Sequence, residues 1–118
     1  MIGVDLIEIA RLERALERHP GLGRRVFRPG ELEYASRHRR PGRHLAARFA
    51  AKEAALKALG LGGMRLGEVE VTGGGGPPEL TLHGAAAEAA ARLGVELEVS
   101  LSHSQDLAIA AVTTRPAG

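Results

Sequence analysis

The stretch RFAAKEAALKAL, residues 48–59, followed by Gly60, sets the frame for the rest of the chain. Laid out at a helical repeat, Leu45, Phe49, Leu56 and Leu59 fall on one stripe, spaced by fours and threes. That spacing predicts a helix over residues 44–59, with Gly60 as its C-cap and Lys57 placed favourably against the dipole in the last turn. Lys52 stands near the middle of the stripe, where a leucine would be expected, and Glu53 stands at its edge. An ammonium and a carboxylate on a packing face need a reason.

The other periodicities place strands and further helices around this one. Ile2–Leu6 reads as a short strand ending near Asp5, and residues 7–18 read as an amphipathic helix stopped by His19-Pro20-Gly21. Pro29 suits a first helical position, so residues 29–38 read as a short helix, and residues 37–44, RHRRPGRH, as a basic connector. GLGG at 60–63 reads as a flexible exit. Alternation predicts strands over 66–72 and 79–83 around a GGGGPP turn at 73–78. An alanine-rich helix over 84–94 is ended by Gly94, and two last strands, 96–103 and 106–114, join at Ser104-Gln105. With no internal repeat or linker, the expectation is one α+β domain over residues 1–118, a largely antiparallel sheet packed against helices.

Composition narrows the chemistry. There is no cysteine, which excludes disulfides, thiolate metal sites and cysteine nucleophiles. No run of about 18 apolar residues exists to suggest a membrane span. The first residues lack a basic signal-peptide region, so the default home is cytoplasmic. Fourteen of the sixteen basic side chains are arginine, and the two lysines, Lys52 and Lys57, both lie in the 44–59 helix. Lysine therefore marks positions where a compact point charge is wanted.

Few residues are candidates for chemistry. Glu53 and Lys57 read plainly as an exposed i,i+4 pair; the sharper reading is a metal carboxylate with a lysine one turn later aimed at a phosphate. Lys52 can snorkel its stem over apolar neighbours. Asp5 reads either as a helix N-cap or as a hard-metal ligand paired with Glu53, suited to Mg²⁺. Ser102-His103-Ser104, at a strand end, is either a turn or a phosphate contact. G-x-S-x-G is absent, and GGGG lacks the G-K-[ST] ending of a phosphate loop.

Together, IGVDLIEIARLERAL at the N-terminus, RPGELEYA at 28–35, LAARFAAKEAALKALG at 45–60 and SLSHSQDLAIAAV at 100–112 resemble the holo-acyl-carrier-protein synthases, the small class of 4′-phosphopantetheinyl transferase. The likeness runs essentially end to end in the same order. It implies transfer of phosphopantetheine from coenzyme A to a serine of acyl carrier protein in fatty acid biosynthesis, releasing 3′,5′-ADP. It implies that Asp5 and Glu53 bind Mg²⁺, that Lys57 contacts the coenzyme A phosphates, and that His103, with Arg48 and Lys52, belongs to the coenzyme cleft. It also implies a homotrimer with active sites at subunit interfaces. Phosphoryl transfer needs positioning and charge neutralisation more than covalent help, and the nucleophile comes from the partner. We therefore expect Lys52 and Glu53 to point into a partly dry crevice formed with another element or subunit. The base is either Glu53 or a metal-bound water.

The resemblance gives the arginines a role, since acyl carrier proteins are acidic. Arg11 matches a carrier-contact position; Arg14, Arg18, Arg24, Arg25 and Arg28 support it, the plain alternative being solvated charge. Departures are Leu61 where a small polar residue is common, TGGGGPPEL in place of a Gly-Lys-Pro hairpin, and Arg28 where a Ser or Thr cap is common. A competing class, a small basic nucleic-acid-binding domain, rests on the arginines and on RHRRPGRH. Phe27, Phe49 and Tyr34 are too few and too scattered to stack bases, so no nucleic-acid or membrane partner is expected.

Overall fold

The computed structural model of the chain describes residues 1–73 and 75–118. In chain order the elements are β1 (Ile2–Glu8), α1 (Ile9–Arg18), α2 (Leu22–Val26), α3 (Pro29–Ser36), α4 (Pro41–Ala58), a 3₁₀ helix (Gly63–Glu68), β2 (Val69–Thr72), β3 (Glu79–Leu82), α5 (Gly84–Leu93), β4 (Val95–His103) and β5 (Leu107–Pro116). One sheet has the order β1-β5-β4 and the other pairs β2 with β3; every pairing is antiparallel.

Helix α4 is the centre of the packing. Ala50, Ala51, Ala54, Ala55 and Ala58 have no exposed surface, so the helix backbone rides close to the strands. Gly3 is the matching concession on β1: a Cβ there would lie 1.9 Å from the Ala54 carbonyl oxygen. The core continues into Val69, Val71, Ala110 and Val112, with a second apolar cluster from Ile9, Leu12, Val26, Phe27, Ala35 and Leu45 beneath α1–α3. Gly94, with φ 66°, ends α5 in the left-handed region as the sequence suggested.

Several boundaries differ from expectation. Strand β1 continues through Ile7 and Glu8, which pair with Ala108 and Leu107, and helix α1 begins only at Ile9, whose N–H donates to the Asp106 carbonyl at 2.8 Å. Helix α2 was not anticipated, being one turn and a half long. Helix α3 stops at Ser36, and α4 starts at Pro41, so half of the basic connector is its first turn. The strand expected from residue 66 begins at Val69, because the 3₁₀ helix occupies Gly63–Glu68. Gly74, within the expected turn, lies outside the described residues.

Candidate active site

Asp5 sits in mid-strand opposite Ala110, so it caps no helix. Its carboxylate accepts a hydrogen bond from Lys57 Nζ at 3.1 Å, and the same ammonium donates to the Val4 carbonyl at 3.1 Å. The close approach of β1 and α4 at Gly3 is what lets Lys57 reach across. Glu53 lies one turn before Lys57 on α4, half-buried. Asp5 and Glu53 line one cavity of about 550 Å³, together with Arg11, Leu12, Val26 and Phe49. Burial holds the Glu53 carboxyl above the usual glutamate range, the Asp5 charge pushes it further, and Lys57 opposes both. Glu53 thus faces the cavity as the expected crevice residue.

This wall offers two carboxylates. Among the described residues no group of three His, Cys, Asp or Glu side chains could hold a metal ion. Two oxygen donors suit a small hard cation that completes its shell with water and substrate, as Mg²⁺ does, and do not suit a transition metal that wants a full protein cage.

A second cavity, about 420 Å³, opens on the other side of α4 and is lined by Tyr34, His44, Arg48, Thr72, Leu101 and His103, among others. Arg48 is 7% exposed, its guanidinium lies 4.1 Å over the Tyr34 ring, and its Nε has no hydrogen-bond partner among the described residues. Burial pulls the Arg48 pKa down, with Tyr34 and Glu31 opposing. His103 ends β4 in an exposed position, with Ser104 Oγ accepting the Leu107 N–H in the turn behind it. The two cavities share no described lining residue. One chain therefore brings Asp5, Glu53 and Lys57 together, and separately Arg48 and His103.

Lys52 belongs to neither group. Its side chain has no exposure, its Nζ donates to Glu31 Oε1 at 2.7 Å and to the Val69 carbonyl, and it lines neither cavity. The expectation that Lys52 contacts a ligand from a crevice is corrected: the gap in the leucine stripe is filled by a buried ion pair. Burial lowers the Lys52 pKa and Glu31 opposes that. Glu31 also accepts the Arg28 N–H at 2.9 Å and, through Oε2, the Val71 N–H at 3.0 Å, so one carboxylate ties α3, α4 and β2. Sequence reasoning missed Glu31, although Pro29 followed by a glutamate two residues on is an N-terminal capping signal.

Arg11, Arg14 and Arg18 are exposed on α1, and Arg11 also lines the Asp5–Glu53 cavity. Arg24 and Arg25 are exposed on α2, whereas Arg28 is held by a 2.9 Å bond to the Gly67 carbonyl. In the basic connector, Arg37 pairs with Glu33 and Arg40 grips Glu13 through two nitrogens, which removes much of the charge a nucleic-acid reading needs. On the outer sheet face Ile2, Val4, Leu6, Leu107 and Ile109 are 40–71% exposed, and the register sets Leu6 opposite Ile109. No helix among the described residues is long and apolar enough to cross a membrane.

Residues 1–112 match the sequence profile of the 4′-phosphopantetheinyl transferase superfamily. The chain is 52% identical over 112 residues to a holo-[acyl-carrier-protein] synthase of Moorella thermoacetica, covering 92% of this chain and 88% of the relative. Among solved structures, the Chronobacterium ammoniagenes ACPS–CoA complex superposes with a TM-score of 0.86 at 31% identity, covering 99% of this chain and 97% of the other. A Bacillus anthracis holo-(acyl-carrier-protein) synthase in complex with CoA (3′,5′-ADP) gives a TM-score of 0.79 at 30% identity, covering 98% and 96%.

Proposed function

The chain belongs to the 4′-phosphopantetheinyl transferase superfamily, and we propose on that premise that it transfers 4′-phosphopantetheine from coenzyme A to a serine hydroxyl of an acyl carrier protein. The serine oxygen forms a bond to the pantetheine-side phosphorus, the pyrophosphate bond of coenzyme A breaks, and 3′,5′-ADP leaves. The observation that carries the reading is Asp5 and Glu53 on one cavity wall with Lys57 bridging to Asp5, in a chain 52% identical to a holo-[acyl-carrier-protein] synthase.

Asp5 and Glu53 are the residues that would hold Mg²⁺, which when bound neutralises charge on the pyrophosphate oxygens. Lys57 supplies a further cation beside Asp5. Glu53, on the same cavity wall, is the chain's own acceptor for the serine proton. Arg11, at the rim of this cavity, and the exposed Arg14 and Arg18 orient the acidic carrier. Arg48 and His103 hold the coenzyme in the second cavity. Since one chain keeps the two groups apart, a complete site takes Asp5, Glu53 and Lys57 from one subunit and Arg48 and His103 from its neighbour. The exposed apolar sheet face supports a homotrimer as the assembly that joins them. Residues 1–118 then act as one transferase domain, in the cytoplasm, serving fatty acid biosynthesis.

Intact-protein mass spectrometry tests this directly. An apo acyl carrier protein incubated with this chain, coenzyme A and Mg²⁺ should gain one phosphopantetheine group, and the gain should vanish with EDTA. No gain with several folded carrier proteins would overturn the reading.

A further inference from the structure

His44 is the residue of the second cavity to which no role has fallen. It lies one helical turn before Arg48 on α4, half-buried on the cavity wall. Its ring stacks on His38, centroids 3.8 Å apart, stands edge-on to His103 at 5.9 Å and to Tyr34 at 5.7 Å. His38 is oriented by its Nδ1, which donates to the Tyr34 carbonyl at 2.8 Å.

The charges around this stack are lopsided. Arg48 and Arg43 face it from α4, His103 from β4, and His38 from just beyond the end of α3. The described lining of the cavity contains no carboxylate. Of the acids nearby, Glu31 is committed to Lys52, Arg28 and Val71, Glu33 pairs with Arg37, and Glu70 with His83. Burial, then His38, His103, Arg48 and Arg43, push the His44 pKa down to about 4, so at neutral pH the imidazole is uncharged. What the cluster lacks is an anion.

We infer that His44 is a proton-accepting member of the ligand site: a phosphate-bearing group entering beside Arg48 and His103 draws a proton onto the His44 ring, making binding proton-linked. The phosphate supplies an opposite charge that offsets the burial and the neighbouring cationic groups, so the bound state holds protons more tightly than the free state. Affinity must then rise as pH falls, beyond what the ionisation of the ligand itself dictates. This inference rests on the coenzyme A reading.

The test is isothermal titration calorimetry of coenzyme A, without metal, into the intact protein. It is run between pH 8 and pH 5.5 in pairs of buffers that differ in ionisation enthalpy. Net proton uptake should be larger for the wild type than for His44→Phe, which keeps a ring against Tyr34 and His38. The affinity advantage of wild type over the variant should grow by about threefold or more over that range. Equal uptake and a constant affinity ratio would overturn the inference while leaving coenzyme binding intact. Absence of coenzyme A binding at every pH would instead overturn the underlying reading. As a measurement independent of the variant, the His44 ring signal in wild-type NMR should titrate at higher pH with coenzyme A than without, and an unmoved titration would also overturn the proposal.

Discussion

Lys52 Nζ and Glu31 Oε1 are 2.7 Å apart, and neither side chain has any exposed surface. A pair this deep is expensive to form and more expensive to break, because a survivor is left charged and alone. Lys52→Met should therefore lower unfolding stability by about 3–5 kcal/mol, read from urea denaturation. Lys52→Met combined with Glu31→Leu should recover a large part of that loss. Recovery should be incomplete, since the Arg28 and Val71 N–H groups lose their acceptor. A double variant no more stable than the single would refute the claim that the unpaired charge is what costs.

On the proposed assignment, Glu53 trades stability for chemistry. Its folded-state pKa is raised, so the ionised form is disfavoured in the folded chain; the contribution of the protonated form is present in acid and is lost as pH rises past the ordinary glutamate range. Glu53→Gln removes that strain. In EDTA the variant should be as stable as wild type in acid and more stable at pH 7.5, while transfer falls by about 10³-fold or more. Melting curves at both pH values, beside the mass-spectrometric assay, check the pair of statements. A variant less stable at pH 7.5 would show that Glu53 is a structural partner.

His44 has the opposite sign. Its pKa falls from 6.5 to about 4 on folding, so the unfolded chain binds the proton more readily. Stability tied to the neutral ring is complete above pH 6.5 and is lost as pH falls from 6.5 towards 4. His44→Phe should flatten that part of the acid limb in urea titrations, and an unchanged limb would exonerate His44.

The site was legible where it depends on local pattern and illegible where it depends on pairing. The stripe of Leu45, Phe49, Leu56 and Leu59 forecasts the helix and flags Lys52 as anomalous. It cannot name Glu31, 21 residues away, because only tertiary packing brings them together. Asp5 reads first as a cap and only second as a ligand until β5 pairs with β1 and carries the strand on to Glu8. Leu66, Val69 and Val71 suggest one continuous strand, yet the first belongs to a 3₁₀ turn. The division of the site residues between two cavities has no sequence signal, because residues 48 and 53 differ by five positions and so face different sides of one helix.

That division yields the sharpest prediction. Suppose a complete site needs Glu53 from one subunit and Arg48 from its neighbour. Then Glu53→Gln and Arg48→Ala chains, each inactive alone, should complement when mixed after reversible dissociation. In a randomly assorted ring, an interface pairing an intact Glu53 with an intact Arg48 arises with a frequency of roughly one in four, so activity should return to about a quarter of wild type. Leu6→Glu, placed on the exposed sheet face opposite Ile109, should abolish both assembly and complementation while the circular dichroism spectrum stays folded. Sedimentation velocity of the same samples reports the assembly. Full activity from a Leu6→Glu monomer would mean that a single chain closes its own site, and absence of complementation from well-formed mixed assemblies would mean that both residues serve the same subunit.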